Sequence, residues 1–143
     1  MVNESVQPTP SDPRPPALGA ARVLMAALAL FTVWLFVTSI VRIHAGVTVG
    51  GCLDLVVAAV WALVTAGVIH NGRRMRLAAW AGLAFQVIAL VVAAAAETAQ
   101  ADWVCFFLSW RGGGANYWWI PPILVVVTAV WLIVSDPRRL AGR

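Results

Sequence analysis

Long apolar runs decide what this chain can become. Four of them, at about 23–41, 49–69, 77–97 and 118–134, carry no charge except Asp54 and the terminal Glu97. An α-helix rises about 1.5 Å per residue and the hydrocarbon core of a bilayer is about 30 Å thick, so about 20 apolar residues cross it. The first three runs meet that length and the fourth sits at its lower limit. Within lipid every backbone N–H and C=O must be paired inside the protein, which leaves helices or a closed barrel. These runs lack the period-2 alternation of barrel strands, and each is too long for one. The expected fold is therefore all-α: a polytopic membrane protein with four transmembrane helices in an up-down bundle. Composition agrees, with 62% hydrophobic and 11% charged residues, against about 25% charged in an ordinary soluble domain. The same figures exclude a disordered chain, a disulfide-stapled secreted miniprotein and a coiled coil.

The segments flanking the runs set domain organisation and orientation. Residues 1–21 hold Pro8, Pro10, Pro13, Pro15 and Pro16 among polar residues. That composition cannot bury a core and reads as a disordered cytoplasmic tail. The four-helix domain then covers 22–137, with a long connection at 98–117, and a basic tail follows at 138–143. The chain has no lysine. Arg14, Arg22, Arg73, Arg74, Arg76, Arg138, Arg139 and Arg143 fall on one side of the expected membrane, and only Arg42 and Arg111 on the other. The positive-inside rule puts both termini in the cytoplasm and the protein in the cell membrane, multi-pass. The run at 23–41 exceeds the apolar core of a cleaved leader and follows a long polar tail, so it is read as a retained span. A pI near 10.5 raises nucleic-acid binding, but the basic residues punctuate apolar segments instead of forming one solvated face. No nucleic-acid partner is expected.

Three punctuation motifs are distinctive: Arg14-Pro15-Pro16 before the first run, the basic turn Asn71-Gly72-Arg73-Arg74-Met75-Arg76-Leu77, and the stop Ser135-Asp136-Pro137-Arg138-Arg139. With the alanine-rich, arginine-without-lysine usage, the layout resembles a loose group of small four-helix integral membrane proteins of actinobacteria. The resemblance covers the whole chain. Its motifs are topogenic signals, and it implies a membrane bundle with no catalytic residue to transfer.

Ionisable groups in spanning segments are costly, so each is a functional candidate. Arg42, His44, Asp54, Glu97, Asp102 and Arg111 gather at the rim opposite the termini. Two readings stand: headgroup-level charges that pair with one another, or a proton or cation site in which Asp54 and Glu97 share a proton. Gln86 joins them as a candidate polar or ion-site residue, with Arg42. Ala78, Gly82, Gln86, Ala89, Ala93 and Glu97 follow helical steps and share one face of the third helix. That face reads as a small-residue packing seam in which a central amide bonds across helices, or as a polar pore lining. Asp54, Ala58, Trp61 and Thr65 form a comparable stripe on the second helix, placed to face it. Gly46 and Gly50 make a single GxxxG, a weak dimerisation signal.

The connection at 98–117 contains Trp103-Val104-Cys105-Phe106-Phe107-Leu108-Ser109-Trp110. Too short to span, this run is expected on or in the outer interface. Trp103, Phe106, Phe107 and Trp110 form a candidate partner surface, or else pack on the bundle or in lipid. Gly112, Gly113 and Gly114 read as a turn. Cys52 and Cys105 share the oxidising side and are a candidate disulfide. His44 and His70 lie on opposite sides and cannot ligate one metal. No phosphate loop, nucleophile elbow or metal motif occurs, so no enzyme activity, metal or cofactor is expected. The leading expectation is a non-catalytic accessory or assembly subunit of a larger membrane complex, in contact with the lipid bilayer. The alternative is a small transporter or channel with a carboxylate site at the outer face, acting as a homo-oligomer.

Overall fold

The computed structural model describes residues 17–70, 72–102 and 109–135. The proline-rich tail through residue 16, the aromatic run at 103–108 with Cys105, Trp103, Phe106 and Phe107, and the basic terminus at 136–143 lie outside the described residues. Four α-helices follow in order: α1 (Ala17–His44), α2 (Thr48–His70), α3 (Arg73–Thr98) and α4 (Ile120–Val134), with a 3-10 segment (Arg111–Tyr117) ahead of the last. No strand occurs among the described residues.

The helices begin where local chemistry allows, not where apolarity begins. Residues 17–21, expected in the tail, already belong to α1, because alanine and leucine after the last proline are strong helix formers. α3 likewise starts at Arg73, ahead of its apolar run, since arginine and methionine propagate a helix well. α4 starts later than expected. Trp118 and Trp119 both adopt left-handed backbone (φ 54 and 61°) and cannot open a right-handed helix. Pro121 and Pro122 then occupy the first turn of α4, where a missing N–H costs little.

Between α1 and α2, Val47 N donates to Arg42 O and Gly46 N to Ile43 O, with Gly46 at φ +87°. This is a Schellman ending with glycine at the left-handed position. Gly46 therefore closes α1, while Gly50 lies buried within α2. The same closure recurs with costlier residues: Gln100 (φ 52°) ends α3 and Trp118 ends the 3-10 segment.

Each helix folds back along its predecessor, through short turns from α1 to α2 and from α2 to α3 and a long connection from α3 to α4. α2 packs between α1 and α3, and α4 closes the ring by packing on α3 and touching α1. The upper end of the bundle, where α1 ends and α2 begins, is also where α3 ends and α4 begins. Leu24, Leu28, Phe31 and Leu35 of α1, Val57, Trp61, Val64 and Val68 of α2, Ala79 and Leu83 of α3, and Leu124 and Leu132 of α4 form one continuous core. Phe31 meets Trp61 edge to face at 5.5 Å. The outward faces carry exposed valine, leucine and isoleucine along every helix, as a chain solvated by lipid requires.

α2 and α3 approach at Gly67, where an added methyl would lie 2.6 Å from the carbonyl oxygen of Met75. Three helices (Ala21–His44 within α1, α2 and α3) are long and apolar enough to cross a membrane. At 15 residues α4 extends only about 22 Å. It makes a fourth span if joined to the 3-10 segment, from which it bends by 97°.

Candidate functional site

Several polar residues gather beneath the α3–α4 connection at the upper end. Asp54 lies nearly two turns into α2 and is 2% exposed. Arg42, in the last turn of α1, donates from Nη1 to Asp54 Oδ2. Ser109 Oγ donates to the other oxygen, Oδ1, at 2.6 Å. Both carboxylate oxygens are thus engaged, one by a cation and one by a hydroxyl from the connection. Tyr117 completes the wall, packing edge on against Trp34 at 5.3 Å.

One residue along the chain, Trp110 takes the other route. It is 1% exposed, packs on Ala89 and Ala93 beside Leu90 and Val125, and donates from Nε1 to Gln86 Oε1 at 3.1 Å. Neighbouring residues of the connection thus grip two helices, α2 through Asp54 and α3 through Gln86. Glu97, partly exposed at the end of α3, accepts from the backbone N–H of Gly112 at 2.6 Å and adds a third tether.

The sequence candidates sort accordingly. Arg42 and Asp54 come together. Asp54 and Glu97 bind different groups: Arg42 and Ser109 meet Asp54, and the backbone N–H of Gly112 meets Glu97. Trp110 is no part of an exposed partner surface, because the small side chains of Ala89 and Ala93 leave a seat that its indole fills. That seat also divides the small-residue face. Gly82 meets Val64 of α2, while Ala89 and Ala93 receive Trp110 of the connection beside Val125 of α4. The α2 stripe is buried as expected but turns to α1: Asp54 to Arg42, Trp61 to Phe31 and Thr65 to Thr32 at 3.3 Å. Cys52 is exposed, and its candidate disulfide partner Cys105 lies outside the described residues, as do Trp103, Phe106 and Phe107.

Two contributors carried no sequence signal. Ser109 sits inside an aromatic run, and a serine there reads as an incidental polar residue. Arg76 reads as a topogenic charge, yet it donates to the carbonyls of Ser135 at 2.8 Å and Leu132 at 2.6 Å at the end of α4.

Asp54 is almost wholly buried and accepts one hydrogen bond at each oxygen, which ties α1 and the connection to α2. Among the described residues no three His, Cys, Asp or Glu gather as a metal-ligand set. Comparison with protein-family models, curated proteins and solved structures finds no match to this chain.

Proposed function

We propose that this chain is a small integral protein of the cell membrane, with both termini cytoplasmic, that acts without catalysis as an accessory or assembly subunit of a larger membrane complex. The observation that carries the reading is the use made of the interior polar groups. Arg42, Asp54, Gln86 and Glu97 all bind one another or the α3–α4 connection. A chain that fixes its one long connection to a rigid bundle presents a defined surface at that end, which suits docking against another membrane protein. The arginine asymmetry between the two ends supports the orientation, and the resemblance to small actinobacterial bundles supports the cell membrane.

The alternative is a small oligomeric transporter or channel built on Asp54, favoured by the burial of a carboxylate at one end of a span. Its weakness is the engagement of that carboxylate by Arg42 and Ser109. Purification of the tagged protein from its native membrane in mild detergent, with mass spectrometry of the intact complex, separates the two. A stoichiometric, different membrane protein is the expected result. A clean homo-oligomer overturns the subunit reading, and loss of proteoliposome flux in Asp54→Asn then establishes the alternative.

A further inference from the structure

Three buried polar atoms have no hydrogen-bond partner among the described residues: Trp61 Nε1, Gln86 Nε2 and Thr128 Oγ. They belong to three different helices, and the helix register set by neighbouring contacts points to one layer. Gly67 of α2 lies against Ala79 of α3, and Val64 against Gly82. Carried on in the same register, Trp61 comes level with Gln86. On the other flank of α3, Arg76 binds the α4 carbonyls of Leu132 and Ser135, while Val125 packs with Ala89, Ala93 and Trp110. Thr128 lies between those two fixed points, which brings it to the level of Leu83 and Gln86.

The hydroxyl of Thr128 is distinctive in a second way. Thr32, Thr38, Ser39 and Thr65 each satisfy their hydroxyl on the carbonyl four residues earlier. Thr128 forgoes that bond although it is fully buried. An indole N–H is a donor only, and so is the amide nitrogen of Gln86, whose oxygen is already taken by Trp110. Two donors cannot satisfy each other. They call for one small acceptor with two lone pairs that can also donate to a hydroxyl. An anion does not fit, since Arg42, a half-buried cation at the upper end, is engaged by Asp54 at another level.

We propose that Trp61, Gln86 and Thr128 form a mid-bundle site for a single water molecule, which accepts from Trp61 Nε1–H and Gln86 Nε2–H and donates to Thr128 Oγ. Internal waters of this kind make about three hydrogen bonds to buried groups that otherwise lack them. Here the water ties α4, the shortest helix, to α2 and α3 at mid-depth. A crystal structure from a lipidic phase, at a resolution that shows ordered solvent, tests the site. The expected result is one solvent peak within about 2.7–3.2 Å of all three atoms. Side chains filling the layer, or any of the three atoms bonded to protein instead, overturns the proposal. In detergent, Thr128→Val deletes the hydroxyl at nearly constant volume and is expected to lower Tm. A Tm equal to or above that of the parent protein shows a hydroxyl that had no partner to lose, and overturns it too.

Discussion

Trp110 points inward and donates its indole N–H to Gln86 at 3.1 Å, so an aromatic residue of the connection is bolted to the middle of a spanning helix. Trp110→Phe keeps most of the packing on Ala89 and Ala93 but leaves the Gln86 oxygen without a partner. Losing one partner of a buried pair costs about 1–3 kcal/mol. The connection should then open more often, and each 1.4 kcal/mol raises the open population about tenfold. Exposed Arg111, directly after Trp110, reports that opening. Trypsin cleavage after Arg111 in Trp110→Phe is expected to run at least several-fold faster than in the parent. Equal cleavage rates would mean that the hydrogen bond does not hold the connection down.

The Arg42–Asp54 pair should show the asymmetry of a buried ion pair. Arg42→Met strands a carboxylate that is 2% exposed, and such losses cost about 3–5 kcal/mol. Arg42→Met with Asp54→Leu removes both charges, and apolar replacement of a buried pair is often neutral. The double variant is therefore expected to unfold closer to the parent than the single one does, measured by thermal melting in one detergent. A double variant less stable than Arg42→Met would show that the pair is worth more than its desolvation.

Helix existence was legible because spans of this length need only apolarity, and apolarity is a property of composition. Helix boundaries were not, because Ala17 and Arg73 extend helices on propensity while Trp118 and Trp119 delay one through backbone conformation. Of the site, Arg42 and Asp54 were readable as costly charges at one rim, and Gln86 as an amide in need of a partner. Its partner was hidden by a general ambiguity. Tryptophan at a membrane edge suits the interface, and only the small side chains of Ala89 and Ala93, distant in sequence, show that Trp110 goes inside. Ser109 was hidden more deeply. Nothing in an aromatic run marks its hydroxyl as the second partner of a carboxylate that lies in another helix.

Glycine tolerance should follow the helix approach and not helix propensity. At Gly67 an added methyl meets the carbonyl of Met75 at 2.6 Å and the methyl of Ala79 at 2.8 Å. Neither obstacle is a flexible side-chain end, so α2 and α3 must part. Gly67→Ala is expected to cost about 1–3 kcal/mol, as overpacking does. Gly19 is exposed in α1 with nothing within 4 Å of the added carbon. Gly19→Ala is expected to gain about 0.5–1 kcal/mol from helix propensity. Thermal melting of the two variants in parallel checks the contrast, and equal shifts would refute the close approach at Gly67.

Arg76 closes the end of α4 from the start of α3. α4 has no basic residue in its last turn, and the final carbonyls of a helix lack partners within it. Arg76 supplies two, from Nη2 to Leu132 O and from Nη1 to Ser135 O, and its charge also suits the negative end of the helix dipole. Hydrogen bonds from a charged donor contribute about 1.5–3 kcal/mol, so Arg76→Met should loosen α4 by about that much. Lysine has one nitrogen where arginine spans two carbonyls, so Arg76→Lys should recover only part of the loss. Hydrogen exchange read by mass spectrometry separates this role from a topogenic one. Lost protection confined to α4 and the start of α3, with α1 and α2 unchanged, marks a cap. Unchanged protection in α4 would leave Arg76 as a topogenic charge alone, a task that Arg73 and Arg74 beside it can share.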